Sequence, residues 1–400
     1  MTDDAPGDAP HRNTSHIDTV AIRSGRDANC SSLAPVLWPT STFVAPDAAA
    51  ARRMATTAGA VEFYSRYGNP TVAAFESAIA ELEGAEAARA FSSGMGAVSA
   101  VVLGLCSSGD HIVTQKQLYA GTQLLFNSVC PRFGIDVTFV DGTDPDAWDA
   151  AIRPGKTMLC FAESPANPRL SIVDLERFGA IAGPVTVVDS TFATPIGQRP
   201  LEHGVKLVLH SATKAIAGHN DATIGVVAGD QELLDWLWSF AVLQGANASP
   251  FDAMNALRGI RTLPIRLERQ SATAQVVAEF LEGDPRIAAV SYLGLPSHPQ
   301  HELASRQMDL FTGLITFDLA GDAETGRRFV EATRIAQFAT SLGGPETLVT
   351  HPASTTHVGL LADELVDAGI NEGTIRMSIG LEHPADLIAD LSQALAVANA

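Results

Sequence analysis

Two strand-like runs each end in a side chain that can do chemistry. In Gly204 to Asp221, GVKLVLHSATKAIAGHND, the apolar residues Val205, Leu207, Val208 and Leu209 read as a buried strand of a parallel sheet, which delivers Lys214 at its end. Open α/β sheets hold their ligands at that edge, and the flanking hydroxyls of Ser211 and Thr213 can hold a phosphate. About one strand upstream, VTVVDSTFATP (Val185 to Pro195) carries a second apolar run into Asp189. Taken singly, Lys214 reads equally as a surface lysine and Asp189 as a helix cap or turn residue. Side by side they point to pyridoxal phosphate, with the lysine bonded to the cofactor and the carboxylate paired with its pyridinium nitrogen. Further upstream, Ser92-Ser93-Gly94-Met95-Gly96 opens an apolar helix, and the free amides of such a helix start bind phosphate well.

Nine short stretches then occur in one order: YSRYGNPT (Tyr64 to Thr71), SSGMGA (Ser92 to Ala97), LYAGT (Leu118 to Thr122), ESPANP (Glu163 to Pro168), VDSTFATP, HSATK, SLGGPETL (Ser341 to Leu348), HPAS (His351 to Ser354) and IRMSIGLE (Ile375 to Glu382). The ordered set resembles the Cys/Met-metabolism family of fold-type I pyridoxal phosphate enzymes, which includes cystathionine γ-synthase, cystathionine γ-lyase, methionine γ-lyase and O-acylhomoserine sulfhydrylase. It covers nearly the whole chain beyond about residue 35.

The resemblance implies roles at matching positions. Lys214 is the lysine bonded to the cofactor, Asp189 the partner of the ring nitrogen, and Tyr119 the stacking aromatic and proton carrier. Gly94 and Met95 offer backbone amides to the phosphate, Ser211 and Thr213 offer hydroxyls, and Thr191 and Asn167 complete the cofactor set. Tyr64 and Arg66 reach the same phosphate from an adjacent subunit, which implies a homotetramer built as a dimer of catalytic dimers. Arg376 grips the substrate's α-carboxylate, helped by Ser341 and Asn167.

Four positions depart from the family pattern. Ser190 stands where many relatives have Asn and Asn220 where many have Ser, and both keep a polar group. Gly121 stands where the methionine-cleaving branch often has Cys, and Thr340 where cystathionine-handling branches often have Glu. A neutral Thr340 tilts the expected activity toward carbon–sulfur γ-elimination on methionine or homocysteine, with γ-replacement and cystathionine cleavage as alternatives. An aminotransferase would use a similar lysine and aspartate but stop at proton transfer. A catalytically silent cofactor-binding protein would need Lys214 or Arg376 missing, and both are present.

The elements that must position these residues follow from periodicity. Residues 1 to about 16 are rich in Asp, Pro and Ala and read as disordered, and residues up to 63 read as an extended arm. In the resembled family that arm wraps a neighbouring subunit. From 64 to 264, helices alternate with the strands HIVT, DVTFV, TMLCFA and the Asp189 and Lys214 runs, followed by ATIGVVAG. Such alternation predicts an α/β domain around a mainly parallel sheet, which the resemblance makes seven-stranded. Residues 265 to 400 hold fewer strands, near GLITFDLAG, IAQFAT and TIRMSIG, and predict a smaller α+β domain.

Composition bounds the rest. With 400 residues, 46% hydrophobic and 18% charged, the chain has the make-up of a soluble globular protein. A formal charge of −19 speaks against nucleic acid or an anionic membrane as partner. Cys30, Cys106, Cys130 and Cys160 form no CxxC and no metal-ligand spacing with histidine. The amino-terminal residues lack the apolar core of a secretory signal, and the simplest compartment is a reducing cytoplasm.

Overall fold

The computed structural model describes residues 15–29, 31–355, 365 and 369–400. The expected disorder of the first residues, save Ser15 and His16, and the reading of Cys30 lie outside them. Seven strands form the larger sheet: β1 (Ala87–Phe91), β2 (His111–Gln115), β3 (Asp136–Val140), β4 (Thr157–Glu163), β5 (Val185–Asp189), β6 (Leu207–His210) and β7 (Gly225–Gly229). Their order is β1-β7-β6-β5-β4-β2-β3. β7 runs antiparallel to both neighbours, and the other strands share one direction. The exception has a local reason. Between β6 and β7 the chain turns through the Lys214 loop with no α-helix, so it returns beside β6 rather than crossing over.

Central strands β4 to β6 are buried on both faces, as their Val and Leu runs require. Helices Pro70–Glu83 and Pro250–Ile260 lie in the core on one face, and helices Gly94–Leu105 and Gln231–Gln244 in the core on the other. The architecture is that of a fold-type I pyridoxal phosphate enzyme.

A second, five-stranded sheet holds β8 (Ile287–Ser291), β9 (Leu314–Leu319), β10 (Gln337–Phe338), β11 (Leu348–Thr350) and β12 (Thr374–Ser378), in the order β10-β11-β12-β9-β8. The 20-residue helix Leu263–Glu282 leads into it. Arg266 on that helix is buried with no carboxylate partner among the described residues and donates to the carbonyls of Ala215 and Gly259, tying the turn after Lys214 to the helix.

The segment expected to be extended contains two short helices, Ile17–Arg23 and Ala48–Thr56, the latter capped by Asp47. Seven- and nine-residue helices show too few turns to stand out as periodic runs. Between them the chain is pinned to the start of helix Pro70–Glu83, where Thr71 Oγ1 accepts the Trp38 amide and donates to the Val36 carbonyl.

Candidate active site

The site is built at the carboxyl ends of the strands. Glu163 and Asp189 end β4 and β5 in register with each other, and Asp189 is in register with Leu209 of β6, just ahead of the Lys214 loop. Both carboxyls are buried. Thr191 donates its amide (3.0 Å) and its hydroxyl (2.5 Å) to Asp189 Oδ1, and its hydroxyl oxygen in turn accepts the amide of Ser211 at 2.8 Å. This chain of bonds joins the β5 and β6 ends. Burial pushes the Asp189 carboxyl up, against the opposing pull of Thr191 and of the nearby His210 imidazole. Both bonds fall on Oδ1, so Oδ2 is left for a cationic partner such as a pyridinium N–H.

Lys214 is half-buried, and its Nζ donates to Ser341 Oγ at 3.0 Å. Burial first, and then the charge of Arg376, pull its amine down to about 8. Arg376 enters from β12 of the second sheet and is almost fully buried. Its Nη1 donates to Asn167 Oδ1 at 3.0 Å and its Nη2 to the Ser341 carbonyl at 3.1 Å. Ser341 adopts a φ of 83°, a left-handed conformation rare for serine, and so serves lysine and arginine from one residue. Desolvation pulls the Arg376 guanidinium down to about 10, opposed by Glu163.

The phosphate end is formed by helix Gly94–Leu105, whose N-cap Ser93 takes the Gly96 amide at 3.0 Å. The amides of Gly94 and Met95 therefore open the helix toward a ligand. Gly94 lies so close to Ser211 that a Cβ there would meet Ser211 Cβ at 2.7 Å. A low-pKa amine, a buried acid and an amide-lined helix start fit the three ends of pyridoxal phosphate.

The structure thus draws Lys214, Asp189, Thr191, Ser211, Gly94, Asn167, Ser341 and Arg376 to one strand edge. Met95 stands beside Gly94 at the helix start. Tyr119 joins them through its backbone amide, which donates to Glu163 Oε2 at 2.8 Å, while its ring is exposed. Thr213 is at the edge too, but its hydroxyl donates to the Ile224 carbonyl and accepts the Ile224 amide. Tyr64 and Arg66 stand apart. The Arg66 guanidinium lies over the rings of Tyr64 and Tyr67 and donates to the Val242 carbonyl.

Sequence reasoning gave no role to Glu163, whose second oxygen accepts the Asn167 amide at 2.8 Å. Burial, and then Asp189, push its carboxyl up to about 8. His210 is also new to the site: its imidazole acts on Asp189, and its Nε2 faces Glu83 Oε1 at 2.7 Å, both side chains fully buried. The signal for both was present, since each ends a strand inside a motif already noted.

A strand edge carrying this lysine, aspartate and arginine defines a pyridoxal-phosphate-dependent enzyme that acts on an amino acid. The family model for the Cys/Met metabolism PLP-dependent enzymes matches residues 18–396, and the chain belongs to that family. It is 44% identical to an O-succinylhomoserine sulfhydrylase of Pseudomonas aeruginosa, covering 95% of each chain. To an L-methionine gamma-lyase of Pseudomonas deceptionensis it is 43% identical, over 95% of this chain and 97% of that one. A cystathionine gamma synthase from Xanthomonas oryzae pv. oryzae, solved with aminoacrylate and cysteine, superposes with a TM-score of 0.90 at 37% identity, over 96% and 99% of the two chains. No helix among the described residues is long and apolar enough to cross a membrane.

Proposed function

We propose that the chain is a carbon–sulfur γ-lyase that converts L-methionine or homocysteine, with water, to a thiol, 2-oxobutanoate and ammonia. The observation that carries a reaction at an amino acid is the meeting of Lys214 Nζ and Arg376 Nη2 on one residue, Ser341. That spacing sets a base beside a carboxylate clamp, as proton removal from the carbon next to a carboxylate requires.

Arg376 takes the α-carboxylate through its fork, with Asn167 and the Ser341 carbonyl fixing the guanidinium. Lys214, Asp189, Gly94, Met95 and Ser211 would hold pyridoxal phosphate, which would supply an electron sink for the carbanion. The Lys214 amine removes the Cα proton; its lowered pKa makes the free amine far more abundant at neutral pH than for an exposed lysine. The same amine, once it has passed the first proton on, takes a Cβ proton, and the Tyr119 phenol protonates the departing γ-sulfur. Thr340, exposed beside Ser341, gives no counter-charge to a distal ammonium, which favours a small, weakly polar γ substituent.

A second reading is γ-replacement on an O-acylhomoserine. It is favoured by the sulfhydrylase relative and by Gly121, where a Cβ would meet Tyr119 Cε1 at 2.6 Å. The cysteine frequent in methionine-cleaving relatives would require the exposed Tyr119 ring to shift.

The deciding experiment supplies methionine, homocysteine, cystathionine, O-acetylhomoserine and O-succinylhomoserine separately, with and without sulfide or cysteine, and measures 2-oxobutanoate, thiol and thioether. Methionine or homocysteine alone yields 2-oxobutanoate under the lyase reading. Product only from O-acyl esters plus a thiol replaces it with the second. Borohydride reduction locates the cofactor on Lys214, and Lys214→Ala loses turnover by orders of magnitude. Undiminished turnover in that variant sinks the assignment.

A further inference from the structure

We infer that Glu163 is a positioning residue that locks the cofactor-facing tyrosine and the substrate-carboxylate clamp into one frame. Each of its oxygens accepts a different backbone amide: Oε2 that of Tyr119 and Oε1 that of Asn167, both at 2.8 Å. Asn167 passes the constraint to Arg376 Nη1 at 3.0 Å. The Glu163 backbone is itself held. The Gln115 side chain brackets the Glu163 backbone, accepting its amide at 3.2 Å and donating to its carbonyl at 3.0 Å, and both residues are buried.

Tyr119 opens the short helix Ala120–Leu124 with no side-chain cap of its own; its carbonyl accepts the Gln123 amide at 3.0 Å within the helix, and its amide is held by Glu163. A carboxylate this buried usually sits opposite an arginine or lysine, yet no ion pair to Glu163 occurs among the described residues. Its oxygens are spent on two amides four and forty-four residues away in the chain. A carboxyl bonded in this way transmits position from one amide to the other.

The inference rests on the reading of Tyr119, Asn167 and Arg376 given above, and two substitutions separate position from charge. Glu163→Gln keeps the length and one acceptor oxygen; Glu163→Asp keeps the charge and both oxygens but withdraws them by a methylene. The first measurement is amide hydrogen exchange in cofactor-free protein. Exchange should quicken in the peptides spanning 118–124 and 164–170 for Asp, and in one of them for Gln. The second is the binding of L-norleucine, which carries the α-carboxylate but no leaving group, read from the visible spectrum of the holoenzyme. Its dissociation constant should rise about tenfold for Asp, as withdrawing both oxygens lets Asn167 and the Arg376 clamp drift, and less for Gln. A Gln variant that is impaired beside an unimpaired Asp variant overturns the inference, because charge would then be the operative property. Unchanged exchange at both segments overturns it as well. A parent protein without cofactor on Lys214 defeats the functional reading while leaving the exchange measurement intact.

Discussion

Lys214 and Arg376 illustrate how two cations can share a site. Both are desolvated, and each is joined to Ser341 rather than to a carboxylate. The arginine's charge therefore adds to burial in favouring the lysine's neutral form. Removing it should raise the lysine's pKa from about 8 toward its ordinary 10.5. Because the free amine is the reactive species, the rate at which cofactor-free Arg376→Gln captures pyridoxal phosphate should climb only at higher pH than in the parent. A capture profile with the parent's midpoint would show that Arg376 does not act on the lysine. Lys214 and Asp189 were legible in the sequence as a pair following neighbouring apolar runs and through the ordered motifs around them; singly, neither stood out. Glu163 ends such a run too, but its partners are backbone amides of Tyr119 and Asn167, and amides carry no residue-type signal. Ser341 is legible as a polar residue in a motif; its left-handed backbone, which lets it serve both cations, is not.

At the scale of elements, the phosphate end depends on how closely β7 approaches the start of helix Gly94–Leu105. A Cβ at Gly225 would meet the Ser93 carbonyl oxygen at 2.2 Å and the Gly94 nitrogen at 2.9 Å. Backbone cannot step aside as a flexible side chain can. Gly225→Ala should therefore cost about 1–3 kcal/mol of stability and weaken cofactor binding together, because the clash displaces the helix start that carries the Gly94 and Met95 amides. Thermal melting and cofactor titration read the two effects, and a variant that melts lower but binds cofactor as the parent does would uncouple the strand from the site. The β7 run was visible in the sequence, but its direction was not, since a buried apolar strand reads the same whichever way it runs. β1 was overlooked because Ala87 to Phe91 is alanine-rich around an arginine, and β11 because three residues give no period. Long helices such as Leu263–Glu282 and Pro384–Ala398 showed through their spacing.

At the scale of the whole molecule, the isolated chain leaves Arg66 away from the Lys214 cluster. Its guanidinium rests on Tyr64 and Tyr67, beside the end of helix Gln231–Gln244, where Leu243 is exposed, and Trp236 further up the same helix is exposed as well. Exposed apolar side chains next to an arginine suit a surface that a second copy covers, and the resemblance assigns Tyr64 and Arg66 to the neighbour's phosphate. If that assignment holds, a complete site needs Lys214 from one chain and Arg66 from the other. Arg66→Ala alone should then raise the cofactor's dissociation constant, since a charge-assisted contact to phosphate is lost. Complementation separates this from a defect within one chain. Co-expressed Lys214→Ala and Arg66→Ala chains assemble at random, so half of the dimers are mixed. In each mixed dimer one site receives both defects and the other receives neither, by the two-fold symmetry of the pair. At cofactor concentrations too low to fill the Arg66→Ala site, the mixture should recover about a quarter of the parent activity, although each variant alone shows little. Recovery no greater than the average of the two variants assayed separately would mean that Arg66 serves its own chain or none, and a fully active monomer in sedimentation would exclude the shared site outright.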